Sequence, residues 1–129
     1  MIRVGIGYDS HRFAPGRPFI LGAAAAGDMG AMFPDSDPQW KDADSLMLLR
    51  LARERISQLG FRPVQADVTV ICEKPHLGVY KEAMAAAIAD ELGIPADAVG
   101  MKAKTNEGMG FVGRGEGVAV FAVALVEDR

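Results

Sequence analysis

The sequence predicts an α+β domain in which a β-sheet is covered on one face by helices. Three observations lead there. Strand-like and helix-like segments alternate along the chain, the pattern of a layered sheet-and-helix domain. Two long segments, around residues 48–59 and 79–92, carry apolar residues at helical spacing. The last strand-like segment, residues 118–126, is apolar on both faces, as a strand is when it is buried twice, under a helix layer or against another subunit. The 129 residues fit one domain spanning 1–129, with no internal repeat and no low-complexity linker.

Residues 2–7 read as a strand that breaks at Gly7, followed by a turn-rich loop over 12–18. Residues 19–22 read as a short strand. It runs directly into Ala23 to Ala26 and Gly27, which look like the last turn of a helix with its stop signal. A helical turn that short is unstable alone because nucleation is costly. The polar stretch 33–45 contains two prolines and ends on Asp44, a helix-capping residue. The helix it opens runs to about Leu59, with Leu48, Leu49, Ala52, Ile56 and Leu59 on its apolar side and Gly60 as its stop. The β-branched run 66–72 reads as a strand ended by Pro75. A second helix covers about 79–92 with Gly93 as terminator, Pro95 starts a brief helical turn, and 99–104 and 118–126 complete the strands.

Composition narrows the function classes. A net charge of −3 offers no basic stripe for nucleic acid. No segment reaches the roughly 20 apolar residues that span a bilayer. One cysteine, Cys72, rules out an intrachain disulfide and fits a reducing compartment, so a cytoplasmic enzyme or binding module is expected.

Four constellations carry candidate chemistry. Asp9 and His11, two apart in an extended segment, point the same way and suit a divalent ion such as zinc, although Asp9 capping a turn fits the spacing too. A catalytic zinc takes about three protein ligands, and the only other histidine is His76. The stretch 104–117 places Gly108, Gly110 and Gly113 as G-x-G-x-x-G, but it leads into a strand and not a helix, so it is not a dinucleotide fingerprint. It reads better as a loop whose backbone amides approach an anion, with Thr105 offering a hydroxyl, Glu107 a metal-binding carboxylate and Arg114 a fork for phosphate. Asp28-Met29-Gly30 with Phe33-Pro34-Asp35-Ser36-Asp37 reads as a turn-rich loop with capping aspartates or as one that closes over a polyol. Residues 72–78 leave a strand and enter a helix; they form a simple connector or a segment that reads a base edge.

Taken together and in order, GYDSH, GDMG-x-x-FPDSDP-x-x-K-x-ADS, DVTVICEKP and KAKTNEGMGFVGRGEG resemble the 2-C-methyl-D-erythritol 2,4-cyclodiphosphate synthase family over nearly the whole chain. The resemblance implies a chorismate-mutase-like homotrimer, its sheets packed around a central cavity and its active sites between neighbouring subunits. It implies a lyase of non-mevalonate isoprenoid biosynthesis that converts 4-diphosphocytidyl-2-C-methyl-D-erythritol 2-phosphate to the 2,4-cyclodiphosphate and releases CMP. By position, Asp9 and His11 match zinc ligands, Glu107 a ligand of Mg²⁺ or Mn²⁺, and Thr105 a threonine that stabilises the transition state. Ser10 lies with Asp9 and His11 in the substrate-contacting motif. Cys72, Glu73, Lys74, Pro75, His76, Leu77 and Gly78 match the cytidine-binding segment, and Lys104, Thr105, Asn106 and Glu107 the nucleotide and phosphate segment. Asp28 to Gly30 and Phe33 to Asp37 match the erythritol-binding loop, and Phe111 and Arg114 further ligand contacts.

The chain departs from this pattern at one place. Between Gly22 and Ala23 the family carries a further segment of roughly thirty residues, with a His-Ser-Asp stretch and the third zinc histidine. Neither is present here. The alternative function is therefore a truncated, non-catalytic trimeric module that binds cytidine nucleotides. A metal-free chorismate-mutase-like trimer would fit the architecture but leave Asp9, His11 and the Thr-Asn-Glu motif unexplained.

Overall fold

The computed structural model describes residues 1–12 and 45–129. The strand expected at 19–22, the helical turn at 23–28 and the Asp44 cap lie outside the described residues. The described elements are strand β1 (Ile2–Arg12), helix α1 (Ser45–Gln58), strand β2 (Phe61–Ile71), a 3-10 turn (Leu77–Tyr80), helix α2 (Lys81–Leu92), a second 3-10 turn (Ala96–Ala98), strand β3 (Val99–Lys104), a one-turn helix α3 (Gly110–Gly113) and strand β4 (Gly117–Asp128). The four strands form one sheet in the order β1-β4-β2-β3.

Strand β4 is central and antiparallel to both neighbours, β1 and β2, while β3 runs parallel to β2. Its register explains two differences from the sequence reading. β1 does not break at Gly7, because Gly7 sits in the ladder opposite Ala122 and the pairing continues to Arg12 opposite Gly117. β2 starts five residues earlier than the β-branched run suggests, at Phe61, and absorbs Pro63 at a register shift between Pro63 and Gln65. A proline has no N–H to give a ladder, and a bulge is where a strand tolerates one.

One face of β4 packs under the helices. Val118, Val120 and Ala122 join Val68, Val70 and Cys72 in a buried cluster, against which Leu77, Met84, Ile88 and Met101 rest. Leu49, Ala66 and Leu92 form a second cluster with Ile88 and Ile94. The spacing of Leu48, Leu49, Ala52 and Ile56 places all four on the buried side of α1, as the periodicity implies, and burial of such a side chain contributes about 1.5–3 kcal/mol. Leu59 is 43% exposed, because the helix ends at Gln58 and the chain turns away. At the other helix, Gly93 closes α2 in the left-handed conformation (φ 69°), and Ile94 N–H reaches back to the Ala89 carbonyl at 3.0 Å. The helix expected from residue 79 begins at Lys81, after the 3-10 turn.

The opposite face of the sheet has no helix among the described elements. Ile2, Val4, Ile6 and Tyr8 of β1 and Phe121 and Val123 of β4 are exposed there, Ile6 at 75%, and the Tyr8 and Phe121 rings lie 4.8 Å apart. The expected one-sided helix cover is thus present, and the strand that reads as apolar on both faces is buried on one face and open on the other. Arg50 bridges α1 to α2 through two hydrogen bonds to Glu91, at 3.0 and 2.8 Å. These bonds hold the Glu91 carboxyl below its ordinary range, so the link contributes fully above that range and is lost as pH falls through the lowered value.

Leu48, only 2% exposed, anchors α1. Leu48→Ala is expected to destabilise the protein by about 2–5 kcal/mol, read as a lower urea midpoint with unchanged slope at fixed protein concentration.

Candidate active site

Because β1 and β2 are both antiparallel to β4, they run in the same direction, and β3 follows β2. Three strands therefore end at one edge of the sheet, where β4 begins. Within the described residues, every singled-out motif lies at that edge: Asp9 to His11 near the end of β1, Cys72 to Gly78 beyond β2, Lys104 to Glu107 at and beyond β3, and Phe111 and Arg114 before β4. Asp28, Met29, Gly30, Phe33, Pro34, Asp35, Ser36 and Asp37 lie outside the described residues.

The edge has two flanks. Asp9 pairs with Val120, Val120 with Val70, and Val70 with Ala103, one row across all four strands. Three interstrand spacings separate the ends of that row, about 14 Å. The Asp9 and His11 backbone is thus on one flank and the Thr105–Glu107 turn on the other. Alternation puts Asp9 on the helix-covered face with Val120, and Ser10, opposite Ala119, on the open face. Among the described residues, no three His, Cys, Asp or Glu side chains come together as a metal site.

The β2–β3 flank forms a cleft of about 210 Å³ lined by Cys72, His76, Leu77, Gly78, Ala103, Lys104 and Thr105. Cys72 N–H donates to the Lys104 carbonyl at 2.8 Å, which joins the two strand ends. The Cys72 thiol donates to the Lys74 carbonyl at 3.1 Å, and burial pushes its pKa up, so it serves as a neutral wall group. Lys74 and Pro75 are joined by a cis peptide bond.

The glycine-rich stretch folds as a tight turn running into α3. Asn106 Nδ2 donates to the Met109 carbonyl at 2.7 Å, and Met109 N–H returns to the Asn106 carbonyl at 3.0 Å. Glu107 adopts a left-handed backbone (φ 54°) and Gly108 follows it (φ 78°). Glu107 N–H donates to Thr105 Oγ1 at 3.3 Å, which leaves the threonine O–H free to donate outward. A side chain at Gly113 would meet the Gly108 carbonyl carbon at 2.1 Å, so this glycine permits close self-packing of the turn. That is the physical content of the G-x-G-x-x-G spacing here, and it differs from a dinucleotide fold.

Two partners were missed from the sequence. Arg114 is engaged by Glu116 through Nε at 3.0 Å and Nη2 at 3.3 Å, so the fork expected for phosphate is closed on a carboxylate. This raises the arginine pKa and lowers that of Glu116. Both side chains are exposed, and such a pair is screened by salt. The other is Glu73, whose carboxylate accepts the Asn106 backbone N–H. The Arg-Gly-Glu spacing hints at the first, whereas the second depends on strand pairing that no local pattern displays.

A wider groove of about 560 Å³ lies at the far end of the sheet and includes Arg53, Arg62 and Arg129. Each is tied to protein, to the Glu91 carbonyl, the Glu127 carboxylate and Ser57 respectively, so these arginines serve as structural links. No helix of the described residues is long and apolar enough to cross a membrane.

Comparison with known proteins places the chain and its fold in one family. The YgbB family model matches residues 20–127. The chain is 43% identical to the 2-C-methyl-D-erythritol 2,4-cyclodiphosphate synthase of Salinibacter ruber, covering 98% of this chain and 99% of that one. It is 42% identical to the synthase of the same name from Methylococcus capsulatus, covering all of both. That alignment runs over 158 residues against 129 here, so the relative carries residues with no counterpart in this chain. Among solved structures, the bifunctional IspDF from Campylobacter jejuni superposes with a TM-score of 0.89 at 30% identity, over 100% of this chain and 43% of that one. A 2C-methyl-D-erythritol-2,4-cyclodiphosphate synthase in a CDP-bound form gives 0.79 at 28%, over 97% and 100%. The chain belongs to the YgbB family, that of the 2-C-methyl-D-erythritol 2,4-cyclodiphosphate synthases.

Proposed function

We propose that this chain converts 4-diphosphocytidyl-2-C-methyl-D-erythritol 2-phosphate to 2-C-methyl-D-erythritol 2,4-cyclodiphosphate and CMP. The observation that carries this is the alignment over the whole chain with relatives of that name. An oxygen of the 2-phosphate attacks the β-phosphorus, the bond to the CMP phosphate breaks, and no water is consumed, so the enzyme is a lyase. Both reacting groups belong to one molecule, so catalysis rests on folding the substrate back on itself and offsetting charge.

The cleft beside Cys72, His76 and Leu77 suits the cytosine ring. Lys104 and the Thr105 hydroxyl then face the diphosphate, and donors aimed at developing charge are the main catalytic resource in phosphoryl transfer. Asp9 and His11 supply a carboxylate and an imidazole, a donor pair that suits Zn²⁺, and the exposed Glu107 carboxylate suits Mg²⁺ or Mn²⁺. When bound, these ions neutralise phosphate oxygens. A third protein donor beside Asp9 and His11 would come from residues 13–44 or from another subunit. We place the residues that relatives carry in excess between Gly22 and Ala23, within that stretch.

The 14 Å or so between the two flanks is too wide for both to grip one diphosphate from a single chain. A homotrimer relieves this by setting one subunit's Asp9 flank beside the next subunit's Thr105 flank. Its interface would be the open face of β1 and β4, where the exposed apolar residues are contiguous and not scattered, and it would surround a central cavity. A cytoplasmic location goes with this reading. A module that only binds cytidine nucleotides would bind CMP without releasing it from substrate.

Asp9→Ala is expected to lose zinc on dialysis together with about 100-fold or more of the activity. Metal analysis showing full zinc occupancy in that variant would refute the ligand assignment. Glu107→Gln is expected to raise the Mg²⁺ concentration needed for half-maximal rate while zinc stays bound. An unchanged Mg²⁺ titration would remove Glu107 from the second ion.

A further inference from the structure

We propose that Glu73 is a positioning residue: by accepting the Asn106 backbone N–H, its carboxylate sets the turn that carries Thr105 and Glu107 against the cleft at the end of β2. This rests on the reading of that cleft and turn as the nucleotide and phosphate site. It gives Glu73 a role different from direct contact with cytidine.

Beyond the ends of β2 and β3 the two strands part. The last bond joining their ends runs from Cys72 N–H to the Lys104 carbonyl. One residue further along the first chain and two along the second, the Glu73 carboxylate meets Asn106 N–H. Glu73 is half-buried at this point, although Lys74, Pro75 and His76 after it are exposed. The bond therefore extends the strand pairing by a side chain, past the point where backbone pairing ends.

The turn needs such a hold. Glu107 is the one non-glycine residue of the described chain with positive φ, at 54°. A left-handed backbone at a residue with a side chain persists only where its surroundings over-determine it. Three contacts do so here: the Asn106 side chain on Met109, the Thr105 hydroxyl on Glu107 N–H, and Glu73 on Asn106 N–H. The first two lie inside the turn and fix its shape. Only the third of these ties the turn to the segment that leaves β2, and so it fixes where the turn sits.

The charge makes the same point. A carboxylate next to a diphosphate site works against anion binding, so a negative group there needs a compensating task. Holding an amide needs an acceptor and not a charge. Glutamine keeps the acceptor, whereas alanine removes it and leaves a half-buried N–H without a partner.

The test compares Glu73→Ala and Glu73→Gln by steady-state kinetics and by calorimetry with CMP and with cytidine. In Glu73→Ala, kcat is expected to fall about tenfold to a hundredfold, since displacement of a catalytic group by an ångström has that effect. CMP affinity should fall about tenfold, because the phosphate reaches the turn, while cytidine affinity stays unchanged. Glu73→Gln should recover most of both losses. Equal loss of CMP and cytidine binding, or unchanged kcat in Glu73→Ala, would overturn the proposal. So would Glu73→Gln being as damaged as Glu73→Ala, since that would make the charge itself the active feature. If the alanine protein does not fold, hydrogen exchange at the Asn106 amide of the unaltered protein decides. Slow exchange is expected, and exchange as fast as that of a free loop amide would overturn the idea. Failure of the unaltered protein to bind CMP would instead refute the reading of the cleft.

Discussion

Pairing of β4 with β1 on one side and β2 on the other is the constraint from which the site follows. Eleven consecutive residues of β1, Ile2 to Arg12, match β4 one for one, and β2 matches it with a single register shift. Antiparallel pairing on both flanks forces β1 and β2 to point the same way. Asp9, Cys72 and Lys104 are far apart in sequence but finish at one edge for this reason, together with the parallel pairing of β3 on β2. A register slip of one residue in β1 would turn Asp9 to the open face and replace Gly5 and Gly7 with Ile6 and Tyr8 under the helices.

The same pairing also sets a limit. A central strand that holds β1 and β2 apart keeps the Asp9 flank and the Thr105 flank on opposite sides of the edge. On the proposed reading, the chain carries both halves of a phosphate site without bringing them together. The proposed assembly with other copies would cover the exposed apolar face of β1 and β4 and join the divided site. Neither feature is needed for folding of the single chain, whose core lies on the helix-covered face.

Much of this was legible in the sequence. The periodicity of Leu48, Leu49, Ala52 and Ile56 identified a buried helix face, and Gly93 marked the end of α2. Local chemistry sufficed for both. β1 and β2 came out longer than their composition suggests, because tertiary pairing carried Gly7 and Pro63 along despite their low strand preference. The 104–117 stretch was legible as a glycine-rich turn, but the reason for Gly113 was not, since the carbonyl it packs against belongs to Gly108 only once the turn has closed. The partner of Asn106 was hidden as well, whereas the Arg-Gly-Glu spacing hinted at that of Arg114. Motif order identified the family more sharply than any single spacing did. Asp9 and His11 alone are compatible with an ordinary surface turn, and their meaning comes from the motifs that accompany them.

The departure from relatives bears on catalysis more than on fold. The described sheet, cleft and turn form without the extra residues, which on the proposed reading belong to the stretch that completes zinc ligation. The most direct measurement is release of CMP from 4-diphosphocytidyl-2-C-methyl-D-erythritol 2-phosphate by the purified chain with Zn²⁺ and Mg²⁺ present. CMP and 2,4-cyclodiphosphate are expected in equal amounts. CMP binding by calorimetry with no release from substrate would contradict it and leave a nucleotide-binding module in its place.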